Sequence, residues 1–234
     1  MNLHLHGHIL PGDKEEARKS GAWAKIIGDF PGEDGRFHSK YRLETLRKAA
    51  ERVHNVGARI AIHATIQESI EMAIEAGFDS IEHGTSLEAH HIEEMARRKI
   101  TLVPTMVIRE EVLELVHGFG LMPDQARNME KAVLKQEEMV RKAAGAGVLV
   151  LAGTDAGMVV HGIVRREIEH FFDAGIPGEI ALGGGSWNAR TFLGLPGIEE
   201  GAHADLMVYA KDPLHHKEVL RTPTCILLDG RQVV

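Results

Sequence analysis

The stretch that decides the fold is Ala58-Arg59-Ile60-Ala61-Ile62-His63, then Ile66 to Ala76, then Phe78-Asp79-Ser80-Ile81-Glu82-His83. The outer two pieces are short and rich in Ile, and they read as strands. The middle piece sets Ile66, Ile70, Ala73 and Ile74 at spacings of three and four, which predicts a helix with one buried face. Glu68 sits in its first turn, where a negative charge suits the helix dipole. Gly77 follows its last turn, as a left-handed C-cap does. A strand, a helix and a second strand in this order make a parallel βαβ unit.

The alternation continues on both sides. Before it lie a strand at Trp23-Ala24-Lys25-Ile26-Ile27 and a helix from Arg42 to Val56. After it come a helix over Ala89 to Arg98, a strand from Ile100 to Val107, and a charged helical region from Glu110 to Ala144 divided near Phe119 to Pro123. Val148 to Ala152 reads as a fifth strand, and its unbroken apolar run suits a sheet covered on both faces. Helices over Val164 to Ala174 and Pro177 to Arg190 follow. From His203 the pattern changes to strands without a long helix between them, Ala204 to Tyr209 and Thr224 to Leu228, with Asp229-Gly230 as a hairpin turn. The expected class is α/β, with a small β module at the end.

At 234 residues and 44% hydrophobic, the chain builds one core or one core with an appendage, and disorder is excluded. Cys225 is the single cysteine, so no disulfide framework exists. A net charge of -7, with no basic stripe carrying interleaved aromatics, argues against nucleic acid. No apolar run reaches membrane-spanning length and Met1 to His6 does not resemble a leader, so a cytoplasmic protein is expected.

Chemistry is expected where the parallel strands end. His63, His83 and Thr154-Asp155 stand at three such ends, and Lys25 lies inside the first strand among apolar neighbours. Imidazole and carboxylate together suit zinc or another divalent ion. Other features carry less. Gly183-Gly184-Gly185-Ser186 lacks the lysine of a phosphate loop. Cys225 has no base beside it, and His90-His91 and His215-His216 are expected to be solvated.

In their order along the chain, these strand ends resemble the amidohydrolase superfamily of metal-dependent hydrolases. The segments are Ala22 to Ile27, Ile60 to Ala64, Ser80 to Gly84, Thr101 to Thr105 and Ala152 to Gly157, with Gly197 to Val208 similar to the family's return into a small β-sandwich. Within it the chain looks closest to the imidazolonepropionase-like and Xaa-Pro dipeptidase-like enzymes. The resemblance implies a partial TIM-like barrel of strands four to eight in residues 1–196, sandwich strands in 197–234, and a chain truncated before strand four. It implies metal ligation by Lys25, His63, His83 and Asp155, with Lys25 N-carboxylated and Asp155 as the catalytic proton shuttle. One or two ions are expected, zinc first, with manganese or iron as alternatives.

His161 and Arg109 are the expected substrate contacts, and His4, His6 and His8 spell the strand-one metal pair without standing in its place. The implied reaction is hydrolysis of a C–N bond in a small amide, cyclic amide or dipeptide through a metal-activated hydroxide. An inactive remnant and a phosphotriesterase or lactonase are the alternatives. An open barrel would leave sheet edges that a homo-oligomer covers.

Overall fold

A computed structural model describes residues 23–234 apart from position 119. His4, His6 and His8 therefore lie outside the described residues. The strands are β1 (Trp23–Ile27), β2 (Asp29–Pro31), β3 (Phe37–Ser39), β4 (Arg59–Ala64), β5 (Ser80–His83) and β6 (Thr101–Val103), then β7 (Leu206–Val208), β8 (Cys225–Leu228) and β9 (Arg231–Gln232). The helices are α1 (Leu43–Asn55), α2 (Gln67–Ala76), α3 (Ala89–Arg98), α4 (Arg109–Gly118), α5 (Pro123–Gly145), α6 (Val164–Asp173), α7 (Gly178–Gly184) and α8 (Trp187–Phe192).

Strands β1, β4, β5 and β6 pair in that order, all parallel, as an open sheet. Helices pack on it through periodic faces. In α1, Leu46, Ala50 and Val53 are buried at spacings of four and three. Gly77 caps α2 at φ 80°, in the left-handed region that the sequence pattern implied. The main core joins Ile60, Ile62, Ile81 and Leu102 of the strands to Ile70, Met95, Val140 and Phe171 of the helices.

Two expected strands are shorter than the sequence suggests. The one expected to run from Ile100 to Val107 stops at Val103. Pro104 has no N–H to give the ladder, Thr105 turns left-handed at φ 50°, and Met106–Ile108 forms a 3-10 turn. The strand expected at Val148 to Ala152 is a single parallel bridge, Leu102 to Val150. Two bonds hold it, Leu102 N–H to the Leu149 carbonyl and Leu151 N–H to the Leu102 carbonyl, both 2.9 Å. The next N–H, of Ala152, goes instead to the Gly184 carbonyl at 2.9 Å, so α7 captures the chain.

The segment Gly28 to Lys40 carries the antiparallel β2–β3 hairpin. A second apolar cluster lies behind it: Val116, Met129 and Val133 of α4 and α5, with Phe37 and Ile66 packed against them. The terminal module is antiparallel, β7-β8-β9. Its Asp229-Gly230 turn has φ 50° and 73°, both positive, as a two-residue hairpin requires.

Candidate active site

His63 and His83 leave the C-terminal ends of β4 and β5, and their rings meet edge to face with centroids 4.5 Å apart. Thr105 and Asp155 stand after β6 and after the 148–151 segment. A cavity of 290 Å³ is lined by His63, His83, Thr105 and Asp155, among others. A second, of 520 Å³, is lined by Lys25, Glu82, His83, Thr105 and Asp155. The two share His83, Thr105 and Asp155, so all four expected metal residues line adjoining cavities at one rim of the sheet.

The protons of this rim can be assigned from its hydrogen bonds. Thr105 Oγ1 lies 2.8 Å from the Pro104 carbonyl and 2.7 Å from His83 Nδ1. The hydroxyl has one proton, and the carbonyl can only accept it. His83 Nδ1 therefore donates to Thr105, which leaves the lone pair of neutral His83 on Nε2, the form that ligates a metal. Gln136 Nε2 donates to the carbonyls of His83 and Pro104, at 3.1 and 2.9 Å, and ties α5 to both strand ends.

Burial holds both imidazoles neutral. His83 titrates well below the usual histidine range, first through burial and then through the charges of His63 and Lys25. His63 is lowered by burial, against the pull of Asp29, with Lys25 adding to the lowering. Burial also lowers Lys25, while Asp155 raises it. Lys25 is ion-paired with Glu82, which sits one residue before His83 on β5. Lys25 thus has a carboxylate as its partner rather than carrying one, and only a free neutral amine takes up carbon dioxide. The donor chemistry of His63, His83 and Asp155 fits a divalent cation; Lys25 fits once Glu82 releases it.

Three further polar residues that sequence reasoning missed shape the rim. Asp29 is fully buried and accepts from Thr65 N–H at 2.8 Å, Ile66 N–H at 3.2 Å and Thr65 Oγ1–H at 2.5 Å. It fixes the chain just past His63, whose Nε2 is 3.8 Å away. Its neighbour Gly28 leaves no room for a side chain: a Cβ there would lie 2.8 Å from the His63 carbonyl oxygen. Glu167 of α6 is also fully buried and accepts from Met106 N–H at 2.9 Å and Val107 N–H at 2.7 Å. Burial pushes its carboxyl up to about 8, against those bonds and nearby Arg109. The third is Glu82. The one local sign for Glu82 is a charged residue inside a strand; Asp29 has the adjoining tight glycine, and Glu167 has none.

Of the expected substrate contacts, Arg109 lines the smaller cavity with its guanidinium ion-paired to Glu137. His161 is exposed and lines neither cavity. A separate group, Glu71, His90 and His91, has ligand atoms all within 4.8 Å of one another and is of the residue types that hold a divalent ion. Among the described residues it is the one such His, Asp, Glu or Cys trio, so His63, His83 and Asp155 are spaced more widely. His91 is not solvated, as expected from sequence, but 1% exposed, because it closes a capping box on α3. Its Nδ1 accepts from Glu88 N–H at 2.9 Å, which puts the proton of the neutral ring on Nε2, the atom facing Glu71 at 3.5 Å. A cation there must displace that proton or break the cap.

The sequence pattern of the amidohydrolase family matches residues 33–233. The chain belongs to the amidohydrolase family. An uncharacterized protein of Mycobacterium tuberculosis is 35% identical over 219 residues, 93% of this amidohydrolase and 59% of that relative. A crystal structure of a Xaa-Pro dipeptidase with methionine bound in its active site superposes with TM-score 0.75 at 27% identity, covering 89% of this chain and 53% of that one. Ochratoxinase of A. niger, at 21% identity and TM-score 0.73, covers 90% and 50% and shares the fold. The amidohydrolase thus spans somewhat over half the length of the relatives it matches. The expectation of a chain truncated before strand four is corrected: it rested on counting barrel strands ahead of Lys25, whereas the family match and the superpositions run along nearly the whole chain.

Proposed function

We propose that this amidohydrolase hydrolyses the C–N bond of a small amide or dipeptide, with Asp155 as the proton shuttle and Lys25, His63, His83 and Asp155 as the residues that hold its metal. The observation that carries this reading is geometric: His63 and His83, with ring centroids 4.5 Å apart, open with Asp155 onto adjoining cavities at the strand ends. The likeness to a Xaa-Pro dipeptidase supports an amide bond as the target. A divalent ion, zinc for this donor set, would supply Lewis acidity and lower the pKa of a bound water.

In this reading the chain's own groups do the rest. Asp155 takes the proton of the attacking water as its oxygen bonds to the carbonyl carbon. Asp155 then returns that proton to the nitrogen as the C–N bond breaks, so amide and water become acid and amine. His83 keeps Nε2 unprotonated because Thr105 holds its other nitrogen. Lys25 joins as a carbamate when Glu82 gives it up.

The reading also takes β1, β4, β5, β6 and the 148–151 segment as barrel strands four to eight. Residues 1–196 are then the barrel part and 197–234 the sandwich part, in a cytoplasmic protein. Self-association covers the edge at β1, where Ile27 is 47% exposed.

The test is metal content of the purified protein, followed by turnover of amide, ester and phosphotriester panels by wild type, His63→Ala and Asp155→Asn. Amide turnover that needs zinc and is lost in both variants is expected. A protein that binds no divalent ion, or that turns over esters and not amides, overturns the reading.

A further inference from the structure

The 290 Å³ cavity is lined by two unlike groups. One is His63, His83 and Asp155; the second is an apolar wall of Phe37, Val112, Val116, Met129 and Val133, which cluster together. That second wall comes from the β2–β3 hairpin and from facing turns of α4 and α5, and it belongs to the satellite cluster rather than the main core. Apolar surface around open space beside a polar site is where a ligand's apolar part is desolvated. The cationic group of this wall is Arg109, whose guanidinium pairs with Glu137 while its buried Nε–H has no partner. An incoming carboxylate would set a second negative charge beside Glu137 on one guanidinium, whereas a neutral acceptor such as an amide carbonyl takes the Nε–H without that repulsion.

Resting on the hydrolytic reading above, we propose that the substrate carries a bulky, uncharged apolar group, aryl or branched alkyl, beside the scissile amide. That group fills the space between the β2–β3 hairpin, α4 and α5, so a dipeptide with charged ends is a poor substrate. Size agrees: a cavity of about 150 Å³ takes up benzene, and 290 Å³ leaves room for an aryl group together with the reacting amide.

The experiment uses uncharged N-methylamides whose acyl group grows from acetyl to phenylbutanoyl, alongside carboxylate-ended analogues of equal length. Each added buried methylene is expected to raise kcat/KM about two- to fourfold, the upper value being full transfer out of water. The carboxylate analogues are expected to fall at least tenfold behind. Val112→Trp fills the partly buried wall and should flatten the gradient; Leu115 also lines this cavity, and Leu115→Trp does the same if the first variant melts early by circular dichroism. Calorimetric binding of the same amides gives a readout independent of hydrolysis. If nothing is cleaved but affinity still climbs with apolar size and Val112→Trp abolishes the climb, the hydrolytic reading fails and the pocket stands. A flat series in both measurements, or a preference for the carboxylate analogues, overturns the pocket.

Discussion

Replacing Thr105 by Val isolates what one hydroxyl does for the rim. The substitution keeps shape and β-branching, so the strain of a branched residue at φ 50° is present in both proteins and cancels. The Pro104 carbonyl loses the Thr105 proton but keeps Gln136 Nε2 at 2.9 Å. His83 Nδ1–H, fully buried, loses the acceptor at 2.7 Å. An orphaned buried donor costs about 1–3 kcal/mol, and Thr105→Val is expected to lose that much in urea unfolding of metal-stripped protein. The ring is also freed to place its proton on Nε2. Loss of such a supporting bond weakens metal binding about 10–100-fold, which zinc titration by calorimetry reads. Thr105→Ser restores the acceptor and should recover most of both. A Thr105→Val protein that matches wild type in stability and zinc affinity would refute the tautomer assignment and the support it gives the metal reading.

Other expectations follow from the buried carboxylates and from Lys25. Asp29→Ala strands Thr65 N–H and Ile66 N–H and is expected to cost about 2–4 kcal/mol in urea unfolding, whereas Asp29→Asn costs far less, because the amide oxygen accepts both N–H groups and the Thr65 hydroxyl reverses to accept from the amide. Glu167, raised from 4.5 to about 8 in the folded chain, binds a proton there that the unfolded chain has released. Its contribution is full below about pH 4.5 and is lost as pH rises to about 8, with a slope of at most about 1.4 kcal/mol per pH unit. Urea midpoints across that window should fall less steeply in Glu167→Gln, and equal slopes would contradict the assignment. Glu82→Gln removes the carboxylate ion-paired with Lys25, so a lysine carbamate signal in ¹³C-bicarbonate NMR should be stronger in the variant than in wild type.

What the sequence disclosed and what it hid divide by the range of the interaction. Helix α2 ends within a residue of its expected limit because the signals, apolar spacing and Gly77, act over a few residues. The placement of His63, His83 and Asp155 at one rim was legible because a short apolar run that meets a polar residue is a local pattern. Glu82 with Lys25, Glu167 with Val107 and Asp29 with Thr65 join positions 57, 60 and 36 residues apart, and no periodicity encodes them. The strand after Ile100 was overread for a related reason. Apolar residues continue to Ile108, but buried apolarity does not distinguish a strand from the 3-10 turn that Pro104 starts and Glu167 clamps.

Backbone strain separates the rim from the rest of the chain more sharply than composition does. Among the described residues five other than glycine have positive φ: His83, Lys99, Thr105, Asp155 and Asp229. Lys99 caps α3 and Asp229 opens a hairpin turn, places where left-handed backbone is ordinary. His83 instead ends β5, Thr105 comes just after β6, and Asp155 comes after the bridged 148–151 segment. Each such residue costs on the order of 1–3 kcal/mol, and glycine would remove the cost along with the side chain. The surroundings hold the strain in place: Gln136 grips the carbonyls of His83 and Pro104, and Glu167 grips the two N–H groups that follow Thr105. A fold that tolerates strained non-glycine backbone at three points around adjoining cavities keeps those side chains for what they do there. Glycine at Thr105 should therefore relieve the backbone strain yet weaken zinc binding, since the acceptor for His83 goes with the side chain. A Thr105→Gly protein that binds zinc as wild type does would sever the link between strain and chemistry at this rim.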